Sequence, residues 1–420
     1  MRLLTYRLVL FFCLLAWPVR CLSVMRVAAS FVFSTPFLRQ KVFTMRKANQ
    51  RSLRLQSLES RNPLAGNIIG NLVGTTLALG GDAADNQLVV TEVAPNQIQV
   101  TGLAGTTING AASQLFAANL IETVIIRTAD GDDEVKVENL SLTDTSNGYL
   151  GIFTSRGNDV VKMLNVTTTQ QIRVDAGLDD DRVDARQTST NGLFLINGES
   201  GDDDIRLSWV KAKDLKVDTH GGVDRVSIYR AKALNDIAVG TGQDTDYIRL
   251  SRLKAGNDIE IHSDEGNDFL STYGMNAGQD IVVKTSSGDD LVWMNRTRAG
   301  RNVVVATDFG NDRLSMRNTE AVDDFFVELG SGDDKARIHN AMVNNFYAAA
   351  ADGNDKMELN NINAANDLHV KMGMGDDVLK ISNSTAVNPF FDGGPGFDTL
   401  YDLPNAFDEV LASVNFELVI

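Results

Sequence analysis

The stretch Gly288-Asp-Asp-Leu-Val-Trp-Met294 returns with small changes as Gly310-Asn-Asp-Arg-Leu-Ser-Met316 and as Gly332-Asp-Asp-Lys-Ala-Arg-Ile338. Each copy begins with Gly-x-Asp and places apolar residues four and six positions after the glycine, and the three glycines are 22 residues apart. Apolar residues at alternate positions are typical of a half-buried strand. The stretch therefore predicts a turn followed by a β-strand, repeated along the chain.

The Gly-x-Asp tripeptide recurs over most of the chain at intervals of 20 to 26 residues. Its glycines are Gly131, Gly157, Gly177, Gly201, Gly222, Gly242, Gly266, Gly288, Gly310, Gly332, Gly353, Gly375 and Gly396. A second short apolar strand precedes many of them, as in Ile259–Ile261 and Val303–Val305. A sustained period of about 22 residues with two strands per period is typical of a solenoid.

These observations predict an all-β fold, a right-handed parallel β-helix (solenoid) of about 22-residue coils with one Gly-x-Asp turn per coil. One coil cannot bury its own apolar residues, but stacked coils enclose a continuous core. Coils spaced by ~4.8 Å would form a rod on the order of 70 Å long, and parallel crossovers are right-handed by default. We expect the solenoid over residues 66–396, with weaker turns near Gly81 and Gly105, and a C-terminal cap over 397–420 that covers the last edge.

The N-terminus has the features of an export signal. Arg2 and Arg7 precede the apolar run Leu8–Trp17, which ends at Pro18. A run of this length suits a signal peptide and is too short to span a bilayer. No later segment approaches 18 apolar residues, so no transmembrane helix is expected.

Residues 45–65 resemble the LEPR-xLL-type segment near the start of many exported planctomycete proteins. The matching residues are Leu58, Glu59, Arg61 and Leu64, while Ser60 stands where that family has proline. The resemblance implies export, and it leaves Met1 and Met45 as alternative starts. Residues 1–44 are accordingly either a signal peptide or a mis-assigned start, and both alternatives predict a secreted or cell-surface protein.

Charge and cysteine content narrow the function classes. The chain has 55 Asp and Glu against 39 Lys and Arg, for a net charge of −16. This balance argues against nucleic-acid partners and favours cations or basic surfaces. Cys13 and Cys21 are the only cysteines, so the repeats can hold neither a disulfide framework nor a thiol nucleophile.

The aspartates of the repeat are the main candidate site. In a parallel solenoid the residues two after each glycine form one column, in which adjacent carboxylates repel by ~3.5 kcal/mol at an effective dielectric constant near 20. Three mechanisms could neutralise the column, namely Ca²⁺ between coils, Asx-turns, and outward Lys and Arg side chains nearby. The candidate metal ligands are Asp133, Asp159, Asp203, Asp224, Asp244, Asp268, Asp290, Asp312, Asp334, Asp355, Asp377 and Asp398, and Asp179 completes the predicted column.

The last repeat, Gly393-Gly-Pro-Gly-Phe-Asp-Thr-Leu400, resembles the repeats-in-toxin (hemolysin-type) nonapeptide. That family folds as a calcium-bound parallel β-roll, so the resemblance implies Ca²⁺ as a candidate cofactor along one edge. The other repeats usually lack the first two glycines, and many carry a hydroxyl at the earlier position: Thr128, Thr154, Thr219, Ser263, Thr285 and Thr307. The opposite turn carries asparagines that predict a structural ladder: Asn165, Asn318, Asn340, Asn361 and Asn383.

An enzyme is the alternative, since parallel β-helices include polysaccharide lyases and hydrolases. The four histidines fall in different coils, and the densest carboxylate clusters are Asp179–Asp181 and Asp202–Asp204. No serine elbow, phosphate loop or zinc motif is present. Exposed aromatics are expected on the outward strand face, at Trp209, Tyr229, Tyr247, Tyr273 and Trp293. The sequence therefore favours a secreted or cell-surface structural or adhesive protein whose partners are extracellular polysaccharide or other cell-surface proteins.

Overall fold

The computed structural model describes residues 65–407 and 412–420. The predicted export elements, residues 1–44 and nearly all of 45–65, lie outside the described residues. Across the described ranges every regular element is a β-strand. In this part of the chain, no helix has the length and apolar character needed to cross a membrane.

Each coil contains one long strand after the aspartate and one short strand before the next glycine turn. Leu291–Ala299 pairs in parallel with Arg313–Ala321, so that Val292 lies opposite Leu314, one coil later. The short strands Val303–Ala306 and Asp324–Glu328 pair in the same way. This register, which repeats about every 22 residues, confirms the predicted parallel β-solenoid.

The long strands form one sheet, and in several coils a bend divides them in two. They are Glu134–Leu142, Val160–Thr168, Arg182–Arg186 with Ser189–Thr190, Asp204–Ser208 with Lys211–Ala212, Arg225–Tyr229 with Lys232–Ala233, Tyr247–Lys254, Phe269–Ala277, Leu291–Ala299, Arg313–Ala321, Lys335–Val343, Lys356–Ala364, Val378–Ser382 with Thr385–Ala386, and Thr399–Asp402 with Ala406–Phe407.

The short strands form the second sheet. They are Thr123–Arg127, Tyr149–Phe153, Gln171–Leu178, Leu193–Ser200, Asp214–Asp218, Ile237–Gly240, Ile259–His262, Ile281–Lys284, Val303–Ala306, Asp324–Glu328, Asn345–Asp352, Asp367–Met374, Asn388–Asp392 and Ala412–Val414. Apolar side chains from both sheets alternate inward and are buried, as Val292 and Met294 are on the long strand and Phe325 is on the short one.

From the coil of Glu134–Leu142 to that of Val378–Ser382, each long strand bends at one residue with positive φ, which lets the side chains before and after it point into the same core. Asn318, Asn340 and Asn361 have φ between 57° and 60°, a conformation that asparagine tolerates better than most residues. The side-chain amide of Asn340 donates to Oδ1 of Asn318 at 3.2 Å, and that of Asn361 donates to Oδ1 of Asn340 at 2.9 Å. The predicted asparagine ladder is confirmed in these coils.

The N-terminal end of the rod reverses direction. Asn67–Val73 pairs antiparallel with Thr76–Gly80, and Gln97–Gly102 pairs antiparallel with both Gln87–Ala94 and Ser113–Ala117. The Gly81 turn belongs to a coil, because the strands on both sides of it pair in parallel with the next coil. The predicted solenoid turn at Gly105 does not join two parallel-paired strands as the other turns do, because Gln97–Gly102 before it pairs antiparallel, although Thr107–Ile108 after it pairs in parallel with Asn67–Val73.

Parallel pairing continues beyond residue 396. Thr399–Asp402 pairs with Val378–Ser382, and Leu418–Val419 pairs with Thr399–Asp402. The ring of Phe407 packs 6.0 Å from that of buried Phe391, measured between centroids. Residues 397–407 and 412–420 therefore extend the coils at the end where a cap is predicted.

Candidate functional site

The aspartates of the repeat lie inside the solenoid, in the corner between the short and the long strand. Asp290 points inward with Val292 and Met294, because the three residues alternate along one strand, and every member of the column is at most 2% exposed. We call this set the inner ladder. Its members are Asp133, Asp159, Asp181, Asp203, Asp224, Asp246, Asp268, Asp290, Asp312, Asp334, Asp355, Asp377 and Asp398.

Two positions of the predicted column are corrected. Asp181 and Asp246 belong to the inner ladder in place of Asp179 and Asp244, which have φ of 81° and 78°. Each turn from Gly131 to Gly375 has two positive-φ residues two positions apart, and in these two coils glycine and a non-glycine residue exchange places. Aspartate tolerates the left-handed region, so the exchange leaves the turn intact. With the corrected residues, the uneven 20- and 24-residue intervals become 22. The uneven glycine spacing was therefore the sequence signal that could have identified Asp181 and Asp246.

Hydrogen bonds join the inner ladder from coil to coil. The backbone N–H of each aspartate donates to Oδ1 of the aspartate one coil later, at 2.7–2.9 Å. Asn86 begins the series by donating its N–H to Asp133, and the N–H of Asp398 ends it on Oε2 of Glu417, both at 2.6 Å. The ladder is therefore continuous from Asn86 to Glu417.

The second carboxyl oxygen, Oδ2, is buried and has no hydrogen-bond partner among the described residues. It points across the corner towards the residue five positions earlier, where a methyl group at Gly198 would collide with Oδ2 of Asp203. In the other coils with a small polar residue there, a buried hydroxyl lies beside the carboxyl and lowers its pKa. These hydroxyls are Thr128, Thr154, Thr219, Thr241, Ser263, Thr285 and Thr307.

Burial raises the pKa of the inner carboxyls towards neutrality, because a charge is poorly solvated in the corner. The pKa of Asp133 rises to about 6 and that of Asp290 to about 7. Burial raises the pKa of Asp181 to about 9, with further contributions from the neighbouring carboxylates Asp159 and Asp203. Asp181 has Ala176 where other coils have a hydroxyl. The inner ladder is thus a column of carboxyl groups that keep their protons at pH values where ordinary carboxyl groups have lost them.

The donor set of the inner ladder fits a proton better than Ca²⁺. Calcium takes six to eight oxygen ligands, whereas Oδ1 of each inner carboxyl already accepts a backbone N–H and only Oδ2 remains. Within residues 65–407 and 412–420, no group of three or more His, Cys, Asp or Glu side chains is arranged to hold a metal ion. Calcium binding at the candidate ligands stays a prediction.

Ion pairs with nearby Lys and Arg do not neutralise the inner carboxyls in the part of the chain that the structure describes. The ion pairs found among the described residues include no member of the inner ladder. The outward cations pair with outward carboxylates instead, as Lys136 and Lys162 do with Glu134. The predicted Asx-turns differ from what is observed: each inner carboxyl accepts a backbone N–H, but the donor is the aspartate of the preceding coil and not a residue of the same turn.

A second ladder runs along the outside of the same turns. Its members precede the inner aspartates by one residue, and the two stretches with side-chain acceptors are Asp132, Asn158, Asp180 and Asp202, and Asn267, Asp289, Asn311, Asp333, Asn354 and Asp376. In this outer ladder each N–H donates to Oδ1 of the preceding coil at 2.6–3.1 Å, opposite to the inner direction. Asn311 also donates its side-chain amide to Asp289 at 3.0 Å, and these bonds lower the pKa of Asp289.

The outward side of the first part of the long strands forms a second candidate site, the basic aromatic face. Lys and Arg predominate on it: Lys136, Lys162, Arg182, Arg186, Arg206, Arg225, Arg249, Arg313, Arg317, Lys335, Arg337, Lys356 and Lys380. Its acidic residues are Glu134, Glu138, Asp184, Asp204 and Glu358. This face is therefore cationic on a chain with a net charge of −16.

Aromatic side chains occupy the middle of the basic aromatic face. The structure brings four of the predicted aromatics together there, namely Tyr229, Tyr247, Tyr273 and Trp293, all at least 38% exposed. Phe269, which sequence reasoning missed, lies between them, with its ring centroid 5.5 Å from that of Trp293 and 6.5 Å from that of Tyr247. Trp209 lies at the adjoining bend, where its ring contacts Tyr229 edge-on and Arg230 at 4.0 Å.

A groove of about 750 Å³ lies beside Trp293 on the same face. Its polar lining is almost wholly cationic, with Arg313, Arg317, Lys335, Arg337, Lys356 and Lys380. Glu358 is the one carboxylate among these lining residues, and it lies 3.5 Å from Arg337 and 3.7 Å from Lys380. We call this the cationic groove.

The carboxylate clusters considered for catalysis are taken up by the ladders. Asp181 and Asp203 are buried in the inner ladder, while Asp180 and Asp202 belong to the outer one. Asp204 forms an ion pair with Arg206 at 2.7 Å. The histidines stay dispersed, with His220 in a turn, His262 and His369 on short strands, and His339 on a long strand.

Comparison with known proteins adds no relative: no family model, no curated protein and no solved structure matches the chain. The class that the fold and its inner ladder define is a parallel β-solenoid stabilised by buried turn aspartates.

Proposed function

We propose that the chain is an exported structural and adhesive rod that displays the outward faces of its coils at the cell surface. The observation that carries the proposal is the continuous inner ladder from Asn86 to Glu417, which serves every coil in the same way. Such a uniform interior suits a scaffold whose length and surface matter more than any single coil. Export is supported by the apolar run Leu8–Trp17 and by the resemblance of residues 45–65 to an exported segment.

The test of this proposal is surface labelling of intact cells. An antibody against residues 65–420 is applied to intact and to permeabilised cells that produce the full chain, a chain starting at Met45, or a chain starting at residue 65. We expect labelling of intact cells with the full chain and none with the chain that starts at residue 65. Labelling of the full chain only after permeabilisation would contradict export.

A polysaccharide lyase or hydrolase is the alternative function, and the cationic groove is where it would act. The groove has one carboxylate, Glu358, held between two cations, whereas glycoside hydrolysis normally uses a pair of carboxyl groups. New reducing ends after incubation of the purified chain with polysaccharide would favour the enzyme, and their absence favours the rod.

A further inference from the structure

We propose that the cationic groove and the aromatic side chains beside it bind one chain of an acidic, uronate-bearing polysaccharide, laid along the rod axis. This inference rests on the proposed surface function and names the partner of that surface. The first support is charge. The groove gathers six cations around one carboxylate on a chain with a net charge of −16, so a polyanion is attracted to this face and repelled by the remainder of the molecule.

The second support is spacing. Arg313, Lys335 and Lys356 lie opposite one another on three successive strands, so their cationic groups repeat at the strand spacing of ~4.8 Å. An extended chain of acidic sugars advances by a similar distance per residue, so successive carboxylates can meet successive cations. Arg313, Lys335 and Lys356 form no ion pair among the described residues, although the outer-ladder carboxylates Asp289 and Asp333 lie near them.

The third support is the aromatic end of the groove. Trp293, Ser315 and Arg337 follow one another along a single column of the face. Trp293 is 49% exposed, and the small side chain of Ser315 leaves space between the indole and the guanidinium group. An aromatic ring packs well against the flat C–H face of a sugar, while arginine binds a carboxylate in a planar, bidentate manner. One sugar on Trp293 thus places its neighbours among the cations.

A single nucleic-acid strand is the competing occupant, because it also combines negative charge with flat rings. It carries one charge per ~3.4 Å of helix rise, which is denser than the column of Arg313, Lys335 and Lys356, where one cation follows another at ~4.8 Å. The acidic balance of the whole chain also opposes a long, dense polyanion. We therefore assign the groove to the uronate chain and keep the nucleic acid as an outcome of the test.

The experiment measures binding of the full chain to oligogalacturonate by calorimetry, with neutral dextran, dextran sulfate and single-stranded DNA as comparison ligands. Two variants alter the groove, Trp293→Ser and the combined R313S, K335S and R337S. Serine already occupies the Trp293 position in both neighbouring coils, as Ser271 and Ser315, so the fold should tolerate it. Lys371→Ser is the matched control, since it removes a cation from the outward side of a short strand.

We expect oligogalacturonate to bind with an affinity that falls as salt rises, while neutral dextran does not bind. The triple variant should weaken binding at least tenfold and Trp293→Ser about fivefold, with unfolding midpoints near that of the unchanged chain and no loss in the Lys371→Ser control. Three results would overturn the proposal: no binding of oligogalacturonate by the unchanged chain, equal losses in the control and the triple variant, or tighter binding of dextran sulfate or DNA. Surface labelling is measured independently, so failure here leaves the proposed function standing.

Discussion

Asp289 and Asp290 are neighbours in sequence, yet they belong to ladders with opposite properties. Asp290 is buried and burial raises the pKa of its carboxyl to about 7, whereas the pKa of exposed Asp289 is lowered by hydrogen bonds from Asn311. The inner ladder donates towards the next coil and the outer ladder towards the preceding one. Because consecutive side chains of an extended segment point to opposite sides, two neighbouring aspartates differ as a buried carboxyl with a raised pKa and an exposed carboxylate with a lowered pKa.

The difference explains which ladder tolerates substitution within the chain. An inner aspartate satisfies a backbone N–H that has no access to water, so its loss leaves a buried donor without a partner. The outer position can be Val223, Thr245 or Phe397, because water can replace the side-chain acceptor there. Aspartate is accordingly present at every inner rung from Asp133 to Asp398, while the outer series alternates and breaks.

The largest effect that separates the two ladders should be that of pH. Because the inner pKa values, such as about 6 for Asp133, about 7 for Asp290 and about 9 for Asp181, exceed the ordinary value of about 3.9, the folded state binds more protons than the unfolded state between these values. Stability is then fully present below about pH 4 and falls as pH rises through 7, by ~1.4 kcal/mol per pKa unit for each inner carboxyl. Thermal unfolding from pH 4 to pH 8 measures this, with a large decrease in Tm expected.

The same scans with Ca²⁺ or with EDTA sharpen the comparison. If protons neutralise the inner ladder, Tm at pH 5, below the inner pKa values, should be the same in both solutions. A large rise in Tm with Ca²⁺, together with several ions bound per chain, would instead establish the predicted metal sites. A Tm that rises from pH 4 to pH 7 would contradict the protonated ladder.

The next largest effect should come from removing one carboxyl from each ladder. Asp290→Ala leaves the buried N–H of Asp268 without its acceptor, at a cost of roughly 1–3 kcal/mol. Asp289→Ala, the matched outer variant, should cost about 0.5 kcal/mol or less, as most surface substitutions do. Denaturant unfolding followed by tryptophan fluorescence gives both values, and equal costs for the two variants would refute the distinction.

The smallest effect concerns the alternation of the outer ladder. Asn311→Asp would place three carboxylates in successive coils, with Asp289 and Asp333 on either side. It would also remove the hydrogen bond that the side-chain amide of Asn311 donates to Asp289. We expect a loss of ~0.5–1 kcal/mol at low salt, since exposed like charges at the strand spacing repel modestly. The loss of stability should shrink at high salt. A salt-independent loss would indicate that the missing side-chain hydrogen bond alone is responsible.

The repeat determined much of the fold in advance. The period of Gly288, Gly310 and Gly332 and the alternation after each glycine predicted parallel coils, and Asn318, Asn340 and Asn361 predicted the opposite ladder. The phase at Asp179 and Asp244 was harder to predict, because aspartate can adopt the positive φ that glycine usually supplies. The inward direction of the inner carboxyls was missed, since aspartate is rarely buried without a charged partner.

The N-terminal hairpins and the basic aromatic face could not be predicted from the repeat pattern, because both depend on how strands pair. Strand direction at Gln97–Gly102 depends on which edge needs covering, and a local pattern does not report it. Outward Lys and Arg side chains near the aspartates were predicted, but their register across successive coils is given only by the strand pairing. Phe269 is part of the aromatic group only because its strand lies between those of Tyr247 and Trp293.

The direction of the inner ladder has a consequence for how such a chain can change length. Each internal coil receives the N–H of the coil before it and offers its own to the coil after it, so any one of them is interchangeable with its neighbours. The two ends of the ladder differ from the internal coils, because Asn86 provides the first donor and Glu417 the last acceptor. A gene can therefore gain or lose a whole 22-residue unit between these two ends and alter the rod by ~4.8 Å without any new terminus. The length of the solenoid can therefore change in steps of one coil while both ends stay the same.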